Sequence, residues 1–109
     1  NIDLKKQKCQ ACSGNTPKFD EKQISKYLSN LDNWSVNEEQ KMIFKKFNFK
    51  TFNEALKFTN KIGKLADKEG HHPDISLGWG YVLIMLHTHA IQALSINDFI
   101  LATKIDLIV

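Results

Sequence analysis

Arginine is absent from the sequence, and all 15 basic residues among its 109 residues are lysines. The guanidinium group of arginine makes the paired hydrogen bonds by which proteins usually read guanine and hold phosphate groups. The lysines are interleaved with 12 acidic residues, so that the net charge is only +3. This pattern is typical of a solvated surface, and it argues against nucleic acid as a partner.

Long apolar stretches are also missing. The sequence has no run of about 18 apolar residues, which a membrane-spanning helix would require, and no pattern of a secretory signal. We therefore expect a cytoplasmic protein that has no membrane partner. The hydrophobic content of 42% and the charged content of 25% are ordinary for a single globular domain.

Cysteine occurs only as the pair Cys9-x-x-Cys12. A structural zinc site normally needs four ligands, and the sequence nearby offers no second cysteine pair or matching histidine pair. No strand precedes the pair, which argues against a thioredoxin-like motif. We interpret residues 1–18 as an irregular N-terminal arm whose thiols close a local disulfide on oxidation or bind metal adventitiously. Residues 19–109 are then the folded domain.

Three helix starts are indicated by capping boxes, in which a polar side chain and another three residues later bond each other's backbone N–H groups. The pattern fits Asp20 with Gln23, Thr51 with Glu54, and Ser95 with Asp98. Apolar residues at helical spacing follow each start, and they predict helices from Asp20 to about Leu31, from Thr51 to about Lys68 and from Ser95 to the chain end. Gly70 is expected to end the second helix in the left-handed conformation.

Strands are predicted over 34–36, 42–50, 75–79 and 81–89 from their alternating or continuous apolar residues. The pair Ile43-Phe44 interrupts the alternation, which predicts a bulge near Lys45. The strand over 81–89 is apolar on both faces, so it should lie centrally with both faces covered. The αββαββα order predicts a single α+β domain with a four-stranded antiparallel sheet and helices on one face.

All four histidines lie close together in the sequence. His71 and His72 precede Pro73 in a predicted loop, and His87 and His89 end the last predicted strand. Histidine suits proton transfer or metal binding because its ordinary pKa lies near neutrality. Adjacent histidines rarely bind one ion together, and no carboxylate-rich shell is evident around them. Acid–base chemistry is therefore favoured over a metal site.

These segments resemble a known family. The resemblance rests on Glu69-Gly-His-His-Pro73 after a helix, on Thr88-His89 at a strand end and on Asn97-Asp98-Phe99-Ile100 opening the last helix. Together with the segment 49–60 and the Cys-x-x-Cys arm, they resemble the pterin-4a-carbinolamine dehydratases, particularly the bacterial members. The resemblance covers nearly the whole chain.

The resemblance implies a hydro-lyase that takes a pterin as its substrate. Members of this family remove the hydroxyl of a 4a-hydroxytetrahydropterin as water and release the quinonoid dihydropterin. This step recycles the pterin cofactor of aromatic amino-acid hydroxylases, which implies a functional link to such an enzyme. The family needs no metal and no bound cofactor for the reaction.

The resemblance also implies site residues. His71, His72 and His89 match the family's catalytic histidines, and Asp98 matches its acid at the start of the last helix. We expect His72 and His89 to bracket the hydroxyl and donate the proton, while His71 holds or deprotonates the ring. All three imidazoles should then line one concavity.

Four further points stay open at this stage. Asp98 would also serve as a helix cap alone, and Pro73 would also serve only to stiffen the loop. Asp67 stands where the family usually has glutamate, which leaves its role undecided. Trp79 is a candidate for stacking on the pterin, although an isolated aromatic residue beside glycines more often packs.

Two other functions compete with catalysis. Members of the family in animals act as dimerisation cofactors for a homeodomain transcription factor, and the apolar end Leu107-Ile108-Val109 would suit self-association as a dimer or tetramer. A binding module without essential catalysis is therefore the alternative. Metal binding by the four histidines, with or without Cys9 and Cys12, is the third hypothesis for the function.

Overall fold

The computed structural model describes residues 4–10 and 13–109. Its helices and strands follow one another as α1 Glu21–Leu28, β1 Ser35–Val36, β2 Ile43–Asn48, α2 Phe52–Glu69, β3 Asp74–Gly78, β4 Tyr81–Leu86 and α3 Ile96–Leu107. This order confirms the predicted αββαββα arrangement. Within the residues described, no helix combines the length and the apolar character that crossing a membrane would take.

The helix starts follow the predicted capping pattern. The Asp20 side chain accepts a hydrogen bond from the Gln23 N–H at 2.8 Å, and Gln23 Oε1 accepts one from the Asp20 N–H at 2.9 Å. At the start of α2, Thr51 Oγ1 accepts from the Glu54 N–H at 3.1 Å, which is one half of the predicted capping box; the reciprocal bond from the Thr51 N–H to Glu54 is not found among the described residues. Gly70 ends α2 with a φ of 68°, a left-handed conformation that glycine adopts without steric cost. The chain therefore turns sharply just before the histidine pair.

The sheet is antiparallel, in the order β1-β2-β4-β3. The β4 strand lies centrally, as predicted. Its pairing with β2 runs without interruption from Ile43–Leu86 to Asn48–Tyr81, so the predicted bulge near Lys45 is wrong. Ile43 is buried while Phe44 is only half-buried, so the two side chains alternate in the ordinary way.

The three helices cover one face of the sheet. Val82, Ile84 and Leu86 of β4 point into this core and are fully buried there. The other face carries half-buried apolar side chains, which define the open sheet face: Phe44, Tyr81, Leu83 and Met85. The expectation that both faces of β4 are covered is thus wrong for a single chain, because the helices all pack on the first face.

The chain leaves the sheet earlier than predicted. The β4 strand ends at Leu86 rather than at His89, and a short 3-10 turn spans His89–Ile91. The reason is a local reversal, in which the Thr88 N–H donates to the Ala93 carbonyl at 2.8 Å. His87 and His89 therefore lie on the segment that curves away from the end of β4.

Part of the N-terminal arm packs on the domain. Leu4 and Cys9 are buried in the hydrophobic core. The Cys9 N–H donates to Glu69 Oε1 at 3.0 Å, and its Sγ lies 3.6 Å from the Asn97 carbonyl oxygen. Cys12 lies outside the described residues, so the predicted disulfide or metal binding by Cys9 and Cys12 stays a prediction. Cys9 is thus a packed residue that joins the arm to α2 and α3.

Glu69 is a buried carboxylate at the end of α2. Burial by itself would raise the pKa of Glu69. The hydrogen bonds from the Lys104 ammonium at 2.8 Å and from the Cys9 N–H outweigh that effect, and with the charges of Lys104 and Lys8 they lower the pKa. Because the pKa is lower in the folded state, the stabilisation is present above the unfolded-state pKa of about 4.3 and is lost as the pH falls through the folded-state value.

We predict that Lys104→Met lowers the free energy of unfolding by about 1–3 kcal/mol at pH 7, because it removes the cation from a buried carboxylate. It should also weaken the decrease of the free energy of unfolding with falling pH, since the pKa of Glu69 rises once the Lys104 ammonium is lost. Urea unfolding at pH 7, 5 and 4 measures both effects. The same substitution at the exposed Lys64 of α2 is the control and should change stability by less than about 0.5 kcal/mol. Equal losses in the two variants would contradict the assignment.

Candidate active site

The histidines meet at one end of the sheet. The loop from His71 to Pro73 leads into the first residue of β3, and His87 follows the last residue of β4. Asp74 at the start of β3 pairs with Met85 near the end of β4. Because the two strands are antiparallel, the entry of β3 and the exit of β4 lie side by side. The structure therefore brings the two histidine pairs to the same end of the sheet.

His71 faces the core and binds Asp98. Its side chain is 4% exposed, that of Asp98 is 0% exposed, and the ring Nε2 lies 2.7 Å from Asp98 Oδ1. The second carboxylate oxygen of Asp98 accepts hydrogen bonds from Thr88 Oγ1 at 2.9 Å and from the Ser95 N–H at 3.0 Å. Three donors thus hold this carboxylate in one position.

Asp98 therefore caps α3 and also binds His71. The cap is a full capping box with Ser95, as the sequence predicts. Thr88 and Ser95 complete the network, with their hydroxyl oxygens 2.7 Å apart, and sequence reasoning did not assign them to the site. The alternation of side chains along β4 could have indicated Thr88. Thr88 lies between His87 and His89, so it should point to the core side, where a hydroxyl needs a partner.

His72 lies on the surface and pairs with Asp67. The His72 side chain is 61% exposed, that of Asp67 is 82% exposed, and His72 Nε2 lies 2.9 Å from Asp67 Oδ1. The shorter acid at position 67 therefore reaches the histidine from the last turns of α2. Pro73, half-buried, separates this pair from β3. The predicted residues Asp67, His72 and Pro73 thus lie together.

His89 lies beside His87. The ring centroids of His87 and His89 are 4.0 Å apart, and His87 Nδ1 lies 3.9 Å from a carboxylate oxygen of Asp74. His89 itself is exposed. Neither Asp74 nor His87 was expected at the catalytic site. The pairing of β3 with β4 brings them together, and this pairing could be inferred from the sequence only as a possible hairpin.

Trp79 lies away from the histidines. Gly78 pairs with Tyr81, so Trp79 and Gly80 form the two-residue turn between β3 and β4. Gly80 has a φ of 77°, which this tight turn requires. From Asp74 to Gly78 the strand covers about 13 Å at roughly 3.3 Å per residue. Trp79, with 75% of its surface exposed, is therefore at the opposite end of the hairpin, and the structure does not bring it to the predicted site.

Three concavities are present elsewhere on the described part of the chain. One of about 390 Å³ lies between the N-terminal arm and the start of α3, a second lies beside α1, and a third lies between α2 and the chain end. None of these three is lined by a histidine. They therefore do not provide the shared concavity that was expected, because His71 points into the core while His72 and His89 face outward.

The arrangement suits proton transfer. It contains a buried imidazole held by a fixed carboxylate, an exposed imidazole beside a second carboxylate, and an exposed imidazole next to another histidine. Histidines placed beside carboxylates are common general acids and bases in enzymes. The geometry can thus offer more than one proton donor or acceptor to a small molecule at this end of the sheet.

Comparisons with known proteins agree on one family. The model of the family described as Pterin 4 alpha carbinolamine dehydratase matches residues 17–108. A protein of Alkaliphilus metalliredigens (strain QYMF), named "Putative pterin-4-alpha-carbinolamine dehydratase", is 47% identical over 104 residues, which cover 94% of this chain and 93% of that protein.

Two solved structures are similar as well. The crystal structure of a transcriptional coactivator/pterin dehydratase from Brucella melitensis has a TM-score of 0.80 and 27% identity, and the match covers 84% of this chain and 98% of that one. A pterin dehydratase-like protein identified as a RuBisCO assembly factor in the alpha-carboxysome has a TM-score of 0.60 and 25% identity. That match covers 70% of this chain and 88% of that one. The α+β fold predicted from the sequence is confirmed.

Proposed function

The chain belongs to the pterin 4 alpha carbinolamine dehydratase family, and from this we propose that it removes water from a 4a-hydroxytetrahydropterin to give the quinonoid dihydropterin. The observation that carries the proposal is the meeting of His71, His72 and His89 at one end of the sheet, two of them paired with carboxylates. We further propose that the product returns to an aromatic amino-acid hydroxylase as its recycled cofactor.

The chemistry needs one acid and one base. The reaction breaks the bond between C4a and the hydroxyl oxygen and also a ring N–H bond, and it forms a C=N bond and water. The acid donates its proton to the leaving hydroxyl, and the base takes the proton of the ring nitrogen. The two groups end with exchanged protonation states and recover through solvent. Each such group typically contributes about 10²–10⁴-fold to the rate.

His72 and His89 are proposed to make the two proton transfers, one as the donor at the hydroxyl and the other as the base that takes the ring N–H proton. Both are exposed, so a substrate reaches them without any opening of the core. Asp67, whose Oδ1 lies 2.9 Å from His72 Nε2, orients the imidazole ring. His72 and His89 come from the two segments that lie side by side at this end of the sheet, which supports their action on one flat molecule.

His71 is proposed to hold the site rather than to act at the surface. Its side chain is almost fully buried, and its bond to Asp98 ties the loop that carries His72 to the start of α3. Burial keeps His71 from both roles considered for it, holding the pterin ring or deprotonating it, so we propose that His71 is a positioning residue. The proposed reaction uses no metal and no bound cofactor, because imidazoles supply both proton transfers.

Dehydration of chemically prepared 4a-hydroxytetrahydropterin, followed by its ultraviolet change, tests the proposal. We expect the purified protein to accelerate the reaction above the buffer rate, in proportion to its concentration and without added metal. A rate equal to that of buffer at every protein concentration would refute the proposed activity. Bovine serum albumin at the same concentration is the control for nonspecific acid–base catalysis by protein side chains.

Self-association is the second candidate function. The open sheet face presents half-buried apolar side chains, and Leu107 and Val109 at the chain end are exposed. The similar protein from Brucella melitensis is described as a transcriptional coactivator as well as a pterin dehydratase. Light scattering after size exclusion distinguishes a dimer or tetramer from a monomer. A stable oligomer that does not accelerate dehydration would favour a binding module over the enzyme.

A further inference from the structure

Asp74, His87 and His89 form a cluster on the open sheet face. Asp74 and Met85 are paired residues of β3 and β4, and Met85 lies on the face away from the helices. His87 comes two residues after Met85, so its side chain points to the same side. The 3-10 turn that begins at His89 then brings the second ring to within 4.0 Å of the first. One ligand atom from each of the three residues lies within 4.8 Å of the others.

His87 Nδ1 has no hydrogen-bond partner in the part of the chain that the structure describes, although this atom is buried. The nearest carboxylate oxygen, on Asp74, is 3.9 Å away, too far for a hydrogen bond. Buried polar atoms in native proteins almost always have a partner, and where no protein group supplies it a bound ion or water often does. The unpartnered nitrogen therefore indicates that an ion or a water binds between His87 and Asp74.

We propose that Asp74, His87 and His89 bind a divalent transition-metal ion of the zinc type. Two imidazoles and one carboxylate make a three-ligand set that leaves a fourth position to water. Imidazole favours zinc, copper, nickel and iron, whereas calcium and magnesium require an oxygen-rich shell that this cluster lacks. In a tetrahedral zinc site the ligand atoms are about 3.4 Å apart, given bonds of about 2.1 Å. Rotation of the exposed Asp74 and His89 side chains would shorten the distances between the ligand atoms from within 4.8 Å to about 3.4 Å.

Metal at this site would block the proposed dehydratase. An imidazole nitrogen that binds a metal ion can neither donate a proton nor accept one, and His89 is one of the two residues proposed to transfer protons. Zinc is therefore an inhibitor here and not a cofactor. The inhibition rests on the proposed function, whereas the binding rests only on the geometry of the three residues.

Calorimetric titration of metal-free protein with zinc chloride tests the binding. We expect one saturable site, and His87→Ala should weaken it at least about tenfold, since even residues that only support a metal ligand typically contribute about 10–100-fold. Asp74→Asn is the second variant that should weaken zinc binding. Because Asp74 is exposed, this substitution should leave the fold of the protein intact. Cys12→Ser is the matched control that removes the thiol pair as a competing site, and it should bind as the unmodified protein does.

A visible spectrum of the cobalt-substituted protein gives a readout that is independent of activity. Intense ligand-field bands typical of four-coordinate Co²⁺ should appear in the unmodified protein and be lost in His87→Ala. Absence of a saturable site, or equal affinity in the protein and both ligand variants, would overturn the proposal. A loss of binding in Cys12→Ser alone would also overturn it.

The inhibition is measured separately, with the rate of each variant compared with its own rate in chelating buffer. Zinc should inhibit the unmodified protein at concentrations near its calorimetric Kd, and His87→Ala should need at least about tenfold more. Zinc that binds through His87 without slowing dehydration would overturn the blocking of His89. Binding through His87 in a protein that accelerates no dehydration would support the metal site and refute the proposed function.

Discussion

Replacing His72 or His89 by alanine is expected to lower the turnover of 4a-hydroxytetrahydropterin by about 10²–10⁴-fold each, because each substitution removes a group that is proposed to transfer a proton. The free energy of unfolding should change by less than about 0.5 kcal/mol, since both side chains are exposed. Initial rates at saturating substrate and urea unfolding measure the two quantities. A site built for catalysis should thus lose activity while the fold remains intact.

Lys61→Ala is the control for this experiment. Lys61 is exposed on α2, about two turns from the end of the helix that carries Asp67. Its removal should leave both turnover and stability nearly unchanged. Unaltered turnover in both histidine variants would refute the assignment, even if the unmodified protein proved to be a dehydratase.

Asp98→Ala is expected to produce the largest loss of stability, about 3–5 kcal/mol. The substitution removes a buried carboxylate that accepts hydrogen bonds from Thr88 and from the Ser95 N–H and that binds His71. The N-terminal cap of α3 is lost at the same time. Because small domains have only about 5–15 kcal/mol of stability in total, the variant should unfold at a clearly lower urea concentration.

The chain offers a matched control in its second histidine–aspartate pair. Asp67→Ala breaks the pair with His72, whose atoms are 2.9 Å apart, close to the 2.7 Å of the buried pair, but which lies on the surface. Exposed ion pairs usually contribute only about 0–1 kcal/mol. A loss of similar size in both variants would show that burial does not set the energy of the Asp98 network. Asp98→Asn retains the shape of the side chain and serves if Asp98→Ala does not fold.

The order of helices and strands could be predicted because its signals are local. Capping boxes at Asp20 and Ser95, the glycine at position 70 and the alternation along β2 each depend on a few neighbouring residues. The end of β4 could not be predicted in this way. The chain leaves the strand because Thr88 bonds to Ala93, and that reversal ends β4 at Leu86, before the predicted end at His89.

The members of the candidate site could be named from the sequence, but their surroundings could not. His71 and His72 are neighbours with the same side chain, yet one is buried against α3 and the other is exposed beside α2. The bond from His71 to Asp98 at the start of α3 separates their roles. The cluster of Asp74, His87 and His89 depends on the pairing of β3 with β4, which the periodicity of single strands does not determine.

A crystal structure with a bound dihydropterin analogue would test most directly whether the histidine end of the sheet is where the pterin reacts. We predict that the flat ring lies against the imidazoles of His72 and His89, with the carbon that bears the hydroxyl in the substrate nearest to them. Binding of the analogue in the concavity between the N-terminal arm and α3, with both imidazoles untouched, would contradict this account.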